Sequence, residues 1–210
     1  MMASENIDWK SESAGARKKF GLDGYEPLQP FVAGRTIDRS IWYEGQLLVF
    51  YADGEAVGNS CAVWEGNLLE GMGPPPHIHL YEHEMFFILS GSITAWIEGE
   101  RHEVSEGSLI FMPAGRAHWF VSSAPNSRML SWTVSAHADR PAKHLQKKLF
   151  EYMGVPAQEM CLPEGSGPDF RPDPDVLAAI AEENGSHVFD LHQEGWRRAF
   201  GERGQIDPEA

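Results

Sequence analysis

Residues 71–91 read GMGPPPHIHLYEHEMFFILSG, and this stretch contains the pattern from which the fold follows. His77 and His79 are one residue apart, so on an extended strand their side chains point to the same face. Glu84 is five residues after His79, an odd offset that would place it on the opposite face of an unbroken strand. We therefore predict that the chain bends through residues 80–83 and starts a second strand, on which Glu84 faces the histidines. Imidazole and carboxylate ligands together suit a divalent transition metal.

A second stretch, residues 107–122, reads GSLIFMPAGRAHWFVS and supplies a fourth ligand candidate. The apolar run Leu109 to Met112 predicts a strand, and the composition of residues 113–115 predicts a turn. His118 then opens the next strand. The metal ligands expected from the two stretches are His77, His79, Glu84 and His118.

The two stretches resemble the two motifs of the cupin superfamily. The shared features are glycines, turns and ligands at fixed spacings: Gly71, five residues, His77-x-His79, four residues, Glu84, six residues, Gly91; then Gly107, five residues, Pro113-x-Gly115, two residues, His118. One position departs from the family pattern, because Ser122 stands where the family usually has asparagine. The resemblance implies an all-β fold, an antiparallel jelly-roll barrel that binds one metal ion.

Other candidate ligands have simpler interpretations. Glu82 is a carboxylate in the same bend, but its spacing fits the motif less well, and a solvated loop explains it. Six further histidines are predicted to be packed or surface residues: His83, His102, His137, His144, His187 and His192.

Strand parity also predicts which apolar residues line a substrate pocket. Phe86 and Ile88 share the face of Glu84, and Phe120 shares the face of His118. With seven tryptophans and eleven phenylalanines in the chain, the expected pocket is apolar and aromatic.

Composition limits the partners of this protein of 210 residues. Its formal net charge of −14 argues against nucleic acid, because phosphates would be repelled. No stretch resembles a transmembrane span or a secretory signal, so we expect a cytoplasmic protein that does not bind membranes. Cys61 and Cys161 lie far apart without metal-binding spacing and are expected to be free thiols.

Three regions are predicted along the chain. Residues 1–20 form a flexible arm, residues 21–140 the barrel, and residues 141–210 a C-terminal extension of helices and loops. Residues 21–34 are expected to be a strap outside the barrel, and the extension to cover the barrel mouth, to contact another subunit or simply to pack outside. Because strap and extension exceed what one barrel needs, we expect a homodimer.

Individual elements are predicted from local patterns. The predicted strands are 41–43, 46–51, 56–64, 93–98 with 103–104, and 129–135, and the Asp53-Gly54 pair predicts a hairpin turn. Helices are predicted over residues 141–153 and from an Asp173 cap to residues 184–185.

A narrower resemblance connects the chain to the single-barrel bacterial quercetin dioxygenases, through the motif spacings, the length and residues 149–156. It implies cleavage of a flavonol ring by O2 with release of carbon monoxide, with Glu84 as the catalytic base. The metal would be nickel, iron, manganese, cobalt, copper or zinc. Two alternatives stay open: a non-oxidative isomerase, cyclase or lyase that uses the same metal and base, and a ligand-binding cupin module.

Overall fold

The computed structural model describes residues 7–43, 46–137, 150, 152, 154–163 and 174–189, and antiparallel strands account for most of its regular structure. The strands are β1 Ser40–Tyr43, β2 Gln46–Ala52, β3 Cys61–Leu68, β4 His77–His79, β5 Glu82–Ser90, β6 Ser92–Ile97, β7 Glu100–Ser105, β8 Leu109–Met112, β9 His118–Ser122, β10 Ser127–Ser135, β11 Val155–Pro156 and β12 Ser186–Val188. The helices are α1 Trp9–Lys19 and α2 Pro174–Glu183, with two 3₁₀ turns at Ile37–Arg39 and Glu55–Val57. The chain divides into two units, residues 1–31 and 32–210.

Two antiparallel sheets build the second unit. One has seven strands in the order β11-β1-β2-β3-β10-β5-β8, and the other has five in the order β12-β4-β9-β6-β7. This arrangement confirms the predicted all-β, antiparallel jelly-roll class with a helix in the C-terminal part.

Alternating burial in the central strands explains how the core forms. In β5 and in β10 every second side chain is buried, except at the last residues of each strand. A strand with one face on the core requires this alternation. The largest buried cluster draws on both sheets: Leu68, Phe86, Ile88, Ile93, Ala95, Val104, Ile110, Met112, Phe120 and Met129.

The connection from β2 to β3 is longer than predicted, so the expected Asp53-Gly54 hairpin turn is wrong. Asp53 Oδ1 accepts a hydrogen bond from the backbone N–H of Ala56 at 3.0 Å, which favours a helical turn over a tight hairpin. A 3₁₀ turn follows, and Gly58 ends it in the left-handed conformation. The strand predicted over residues 56–64 therefore begins at Cys61 and runs to Leu68.

The predicted pairing of β6 with β7 is confirmed, with Ile93 opposite Val104. The strand β6 ends at Ile97, one residue before the predicted end, and the turn lies at Glu98-Gly99. Both residues have positive φ, 50° and 86°, as a two-residue type I′ turn requires.

The first unit contains a helix where the sequence pattern indicated no regular element. Asp8 caps α1 by accepting hydrogen bonds from the backbone N–H groups of Lys10 and Ser11. None of its residues is buried, so capping and favourable charges at its C-terminal end hold it rather than an apolar face. That is why periodicity did not reveal it.

The predicted second C-terminal helix is confirmed as α2, whereas most of the helix predicted over residues 141–153 and the Asp173 cap lie outside the described residues. The strand β12 was not predicted. It adds to the edge of the five-stranded sheet beside β4, and Gly185 precedes it with φ of 78°. A Cβ at this glycine would also collide with the ring of Tyr81. Within the described part of the chain, no helix has the length and apolar character needed to cross a bilayer.

Candidate metal centre and adjoining cavity

Three strands from the two sheets carry the four predicted ligands to one point. His77 and His79 lie on β4, His118 lies on β9 directly opposite His77, and Glu84 lies on β5 of the other sheet. One donor atom from each side chain lies within 4.8 Å of all the others, and all four residues are buried. The four residues therefore line one small space between the sheets.

The bend between β4 and β5 places Glu84 on the histidine side. It is shorter than predicted, because β5 already begins at Glu82 and leaves two residues for the bend. The N–H of Gly115 donates to the carbonyl of His79 at 2.7 Å and holds the end of β4. Glu82 is 2% exposed, so its assignment to a solvated loop is wrong: strand parity carries it inward together with Glu84.

Hydrogen bonds at the rear of two imidazoles orient them toward the centre. Nδ1 of His77 lies 2.8 Å from the carbonyl oxygen of Pro75, and Nδ1 of His118 lies 2.9 Å from that of Arg116. A carbonyl can only accept, so each Nδ1 carries a proton, and each Nε2 is the ring nitrogen that faces the centre. This is the arrangement that a metal-binding histidine needs.

His79 is oriented by a residue from the C-terminal extension. Its Nδ1 lies 3.0 Å from Oγ of Ser186 on β12 and 3.9 Å from Oε2 of Glu82. Its Nε2 is buried, has no hydrogen-bond partner among the described residues, and lies 3.8 Å from Oε2 of Glu84. The same carboxylate oxygen lies 3.2 Å from Nε2 of His118.

Burial keeps the imidazoles of His77 and His79 neutral, because it lowers the pKa of both. It lowers the pKa of His77 to about 3, with a further contribution from the nearby His118. Burial, followed by His77 and His118, also places the pKa of His79 well below its usual value. Neutral imidazoles and a carboxylate within reach of one another fit a single divalent transition metal.

A cavity adjoins the centre. The space inside it and across its open mouth amounts to about 780 Å³. Of the predicted lining residues, Phe86 and Phe120 lie on its wall with their rings 4.8 Å apart. Ile88 instead lies in the core cluster, fully buried.

Several lining residues were not predicted. Trp64 and Tyr43 come from the seven-stranded sheet, and Phe150, Leu177 and Val188 come from the C-terminal extension. The ring of Phe150 packs against Tyr43 at 4.9 Å and Trp64 at 6.4 Å. Their apolar character is the one feature of the sequence that could have indicated that they line a cavity. Which strands and helices meet at the cavity depends on contacts between distant segments.

Of the remaining histidines, the four that the structure describes do not belong to the group of candidate ligands. His83 accepts a hydrogen bond from the N–H of Ala114, Nε2 of His137 lies 3.2 Å from the carbonyl oxygen of Leu80, and His187 is exposed. His102 is half-buried on β7, while His144 and His192 fall outside the described residues.

Ser122, at the position that departs from the family pattern, is buried and donates through Oγ to the carbonyl of Ala124 at 2.9 Å. Its role is to hold the end of β9. Neither of the two cysteines, Cys61 and Cys161, forms a disulfide bond.

Comparison with known proteins agrees with this architecture. Residues 65–133 match the family model described as a cupin domain. A quercetin 2,3-dioxygenase of Bacillus subtilis strain 168 is 25% identical over 92 residues, which cover 44% of this chain and 27% of that protein. The match therefore spans only about a quarter of the relative's length.

Two solved structures are similar to this chain at low sequence identity. KdgF from Halomonas sp. is 20% identical, with 45% of this chain and 82% of that chain covered and a TM-score of 0.39. A protein described as a predicted oxalate decarboxylase from Thermotoga maritima is 17% identical, with 50% and 99% covered and a TM-score of 0.46. Neither contributes to the functional argument.

Proposed function

Since this chain belongs to the cupin superfamily through residues 65–133, we propose that it is a metal-dependent dioxygenase that cleaves a flavonol-like or other enolic aromatic substrate with O2. The observation that carries the proposal is the buried group of three histidines and one carboxylate beside an aromatic cavity. The partial match to a quercetin 2,3-dioxygenase supports the same reaction class.

His77, His79, Glu84 and His118 would hold the metal, which is nickel, iron, manganese, cobalt, copper or zinc. A bound ion would supply Lewis-acid polarisation of the substrate's oxygen atoms and, at its remaining coordination positions, room for substrate and O2. The Nε2 atoms of His77 and His118 face the centre, so the imidazoles require no rearrangement to bind it.

Glu84 is the proposed catalytic base. Its Oε2 lies among the imidazole Nε2 atoms, so an enolic hydroxyl brought to the centre comes within hydrogen-bond reach of it. Glu84 takes the hydroxyl proton, and the enol becomes an enolate, which is richer in electrons and more reactive toward O2.

The cavity walls select and shield the substrate. Phe86, Phe120 and Trp64 present aromatic surface suited to a flat ring system. These walls also exclude water, which strengthens the electrostatic interactions of Glu84 with the bound substrate. The proposal includes a cytoplasmic protein that acts as a homodimer.

The test combines elemental analysis of the purified protein with an oxygen electrode and a panel of flavonols. We expect about one metal ion per chain, and O2 uptake coupled to carbon monoxide release. The His77→Ala, His79→Ala double variant should lose both metal and turnover. Turnover of an enolisable substrate without O2 would instead favour an isomerase, cyclase or lyase, and binding without turnover would favour a ligand-binding module.

A further inference from the structure

Gln46 is a buried amide on the wall of the cavity. It opens β2 and lies on the inward face with Leu48, and both residues line the cavity. Gln46 is 8% exposed, yet within the described parts of the chain its side-chain amide makes no hydrogen bond. Its amide atoms are not among the described buried side-chain atoms that lack a partner, so the amide is accessible from the cavity and available to a bound molecule.

Asn67 on the neighbouring strand β3 shows what a structural amide looks like in this protein. It is 9% exposed, and its Nδ2 donates to the carbonyl of Leu47 at 3.2 Å and to Oε1 of Glu65 at 3.3 Å. The two amides are buried alike, but Asn67 faces a polar network and Gln46 faces the cavity.

The surroundings of Gln46 in the cavity are apolar. Leu48, Trp64 and Phe150 belong to one hydrophobic cluster, and all three share the cavity wall with Gln46. A molecule lying against this wall would therefore meet aromatic and aliphatic surface along its body and one amide for a polar contact.

The position of Gln46 determines how long such a molecule must be to reach it from the metal centre. Two strands, β3 and β10, separate β2 from β5, the strand of Glu84. Neighbouring strands lie about 4.8 Å apart, and Gln46 is level with Leu68 of β3, whereas Glu84 is level with Ala62, so the path along the sheet from one to the other exceeds about 14 Å. A small acid or diketone at the metal centre would not reach Gln46, whereas an extended molecule of several rings would.

We propose that the amide of Gln46 is the distal recognition group of this cavity: it hydrogen-bonds a hydroxyl or carbonyl at the far end of an elongated, flat, aromatic substrate whose near end reaches Glu84. This inference rests on the proposed function. An amide both donates and accepts, so either group satisfies it. A substrate without that group leaves the amide unpaired and binds more weakly.

The test measures binding to the zinc-loaded protein by quenching of tryptophan fluorescence. The probes are unsubstituted flavonol and two flavonols that carry one added hydroxyl, on the A ring or on the B ring. We expect the wild type to bind one hydroxylated probe about tenfold more tightly than unsubstituted flavonol. Gln46→Leu should abolish this preference, while Leu48→Met, a change in the same wall without hydrogen bonding, should keep it.

Thermal unfolding without ligand provides an independent readout. Gln46→Leu should not lower the melting temperature, because the amide has no hydrogen bond within the described residues to lose, whereas Asn67→Leu should lower it, because Asn67 loses its bonds to Leu47 and Glu65. A lower melting temperature for Gln46→Leu would show that the amide is structural and would overturn the inference.

The binding outcomes separate the inference from the proposed function. If all three probes bind wild type equally, Gln46 recognises no distal group, and the inference fails while a flavonol site stands. If none of the probes binds, the flavonol site and the inference fail together.

Discussion

At the scale of single residues, β5 carries two buried carboxylates with different surroundings. Oε2 of Glu84 lies among the inward Nε2 atoms, whereas Oε2 of Glu82 lies on the Nδ1 side of His79. We expect Glu84→Gln to lower turnover by about 10²–10⁴-fold, because the proton acceptor is lost, while the histidines retain much of the metal. Turnover and metal content, measured on the same preparation, check this.

Glu82→Gln is the matched control for this change, since it alters a buried carboxylate two residues away on the same face. It should reduce turnover far less. Wild-type turnover in fully metal-loaded Glu84→Gln, or a larger loss in Glu82→Gln, would place the base elsewhere.

At the scale of elements, β12 connects the C-terminal extension to the metal centre. Ser186 lies opposite His79 in the pairing with β4 and contacts its Nδ1. Groups that orient a metal ligand typically change metal affinity by 10–100-fold when removed, so Ser186→Ala should weaken metal binding about tenfold. Competition with a chelator measures this, and His187→Ala, an exposed change on the same strand, is the control. Equal metal affinity in Ser186→Ala and wild type would contradict the role.

A second element-scale prediction concerns the outer face of the seven-stranded sheet. Burial raises the pKa of Glu65, but hydrogen bonds from Arg128, Tyr51 and Arg35 outweigh it, so its pKa lies below the ordinary 4.5. A lowered folded-state pKa contributes stability above pH 4.5 that is lost as the pH falls through the folded-state value.

We therefore expect Glu65→Gln to be less stable than wild type at neutral pH by about 1–2 kcal/mol, a modest figure because both arginines are partly exposed. The difference should shrink as the pH falls below 4.5. Denaturant unfolding across this range checks the prediction, which a constant difference would refute.

At the scale of the whole molecule, the outer face of this sheet also carries apolar side chains from adjacent strands. The register places Trp132 beside Met85 and Met85 beside Phe111, with Phe87 beside Leu109 in the next row. Leu109 and Phe111 are 52% and 47% exposed. Stable dimers bury about 800 Å² per partner around such an apolar centre, so we expect this face to form the proposed homodimer.

Phe111→Lys should convert the dimer to a monomer, because it places a charge in the contact, and metal content should not change. Val32→Lys, at a side chain that is 97% exposed, should leave the dimer intact. Light scattering at micromolar concentration measures both. A monomeric wild-type protein would contradict the predicted homodimer.

Much of the architecture could be predicted because local patterns carry it. The alternation in residues 82–90 follows from burial of one face of a strand, and the His77-x-His79 spacing places both imidazoles on one face whatever surrounds them. The turn before His118 follows from Pro113 and Gly115. The errors have local causes too: the side chain of Asp53 capped a helical turn, and α1 forms without an apolar stripe.

The sequence by itself thus determined many of the strands, the antiparallel class and the four residues that meet at the centre, because each depends on neighbours along the chain. Tertiary structure alone decided that β12 brings Ser186 behind His79, that Phe150, Leu177 and Val188 line the cavity, and that Ile88 does not. It also placed Gln46 on the wall of the cavity. These outcomes depend on contacts between residues far apart in sequence. The packing of the two sheets and the extension sets the geometry of those contacts, and it cannot be inferred from periodicity or spacing in the sequence.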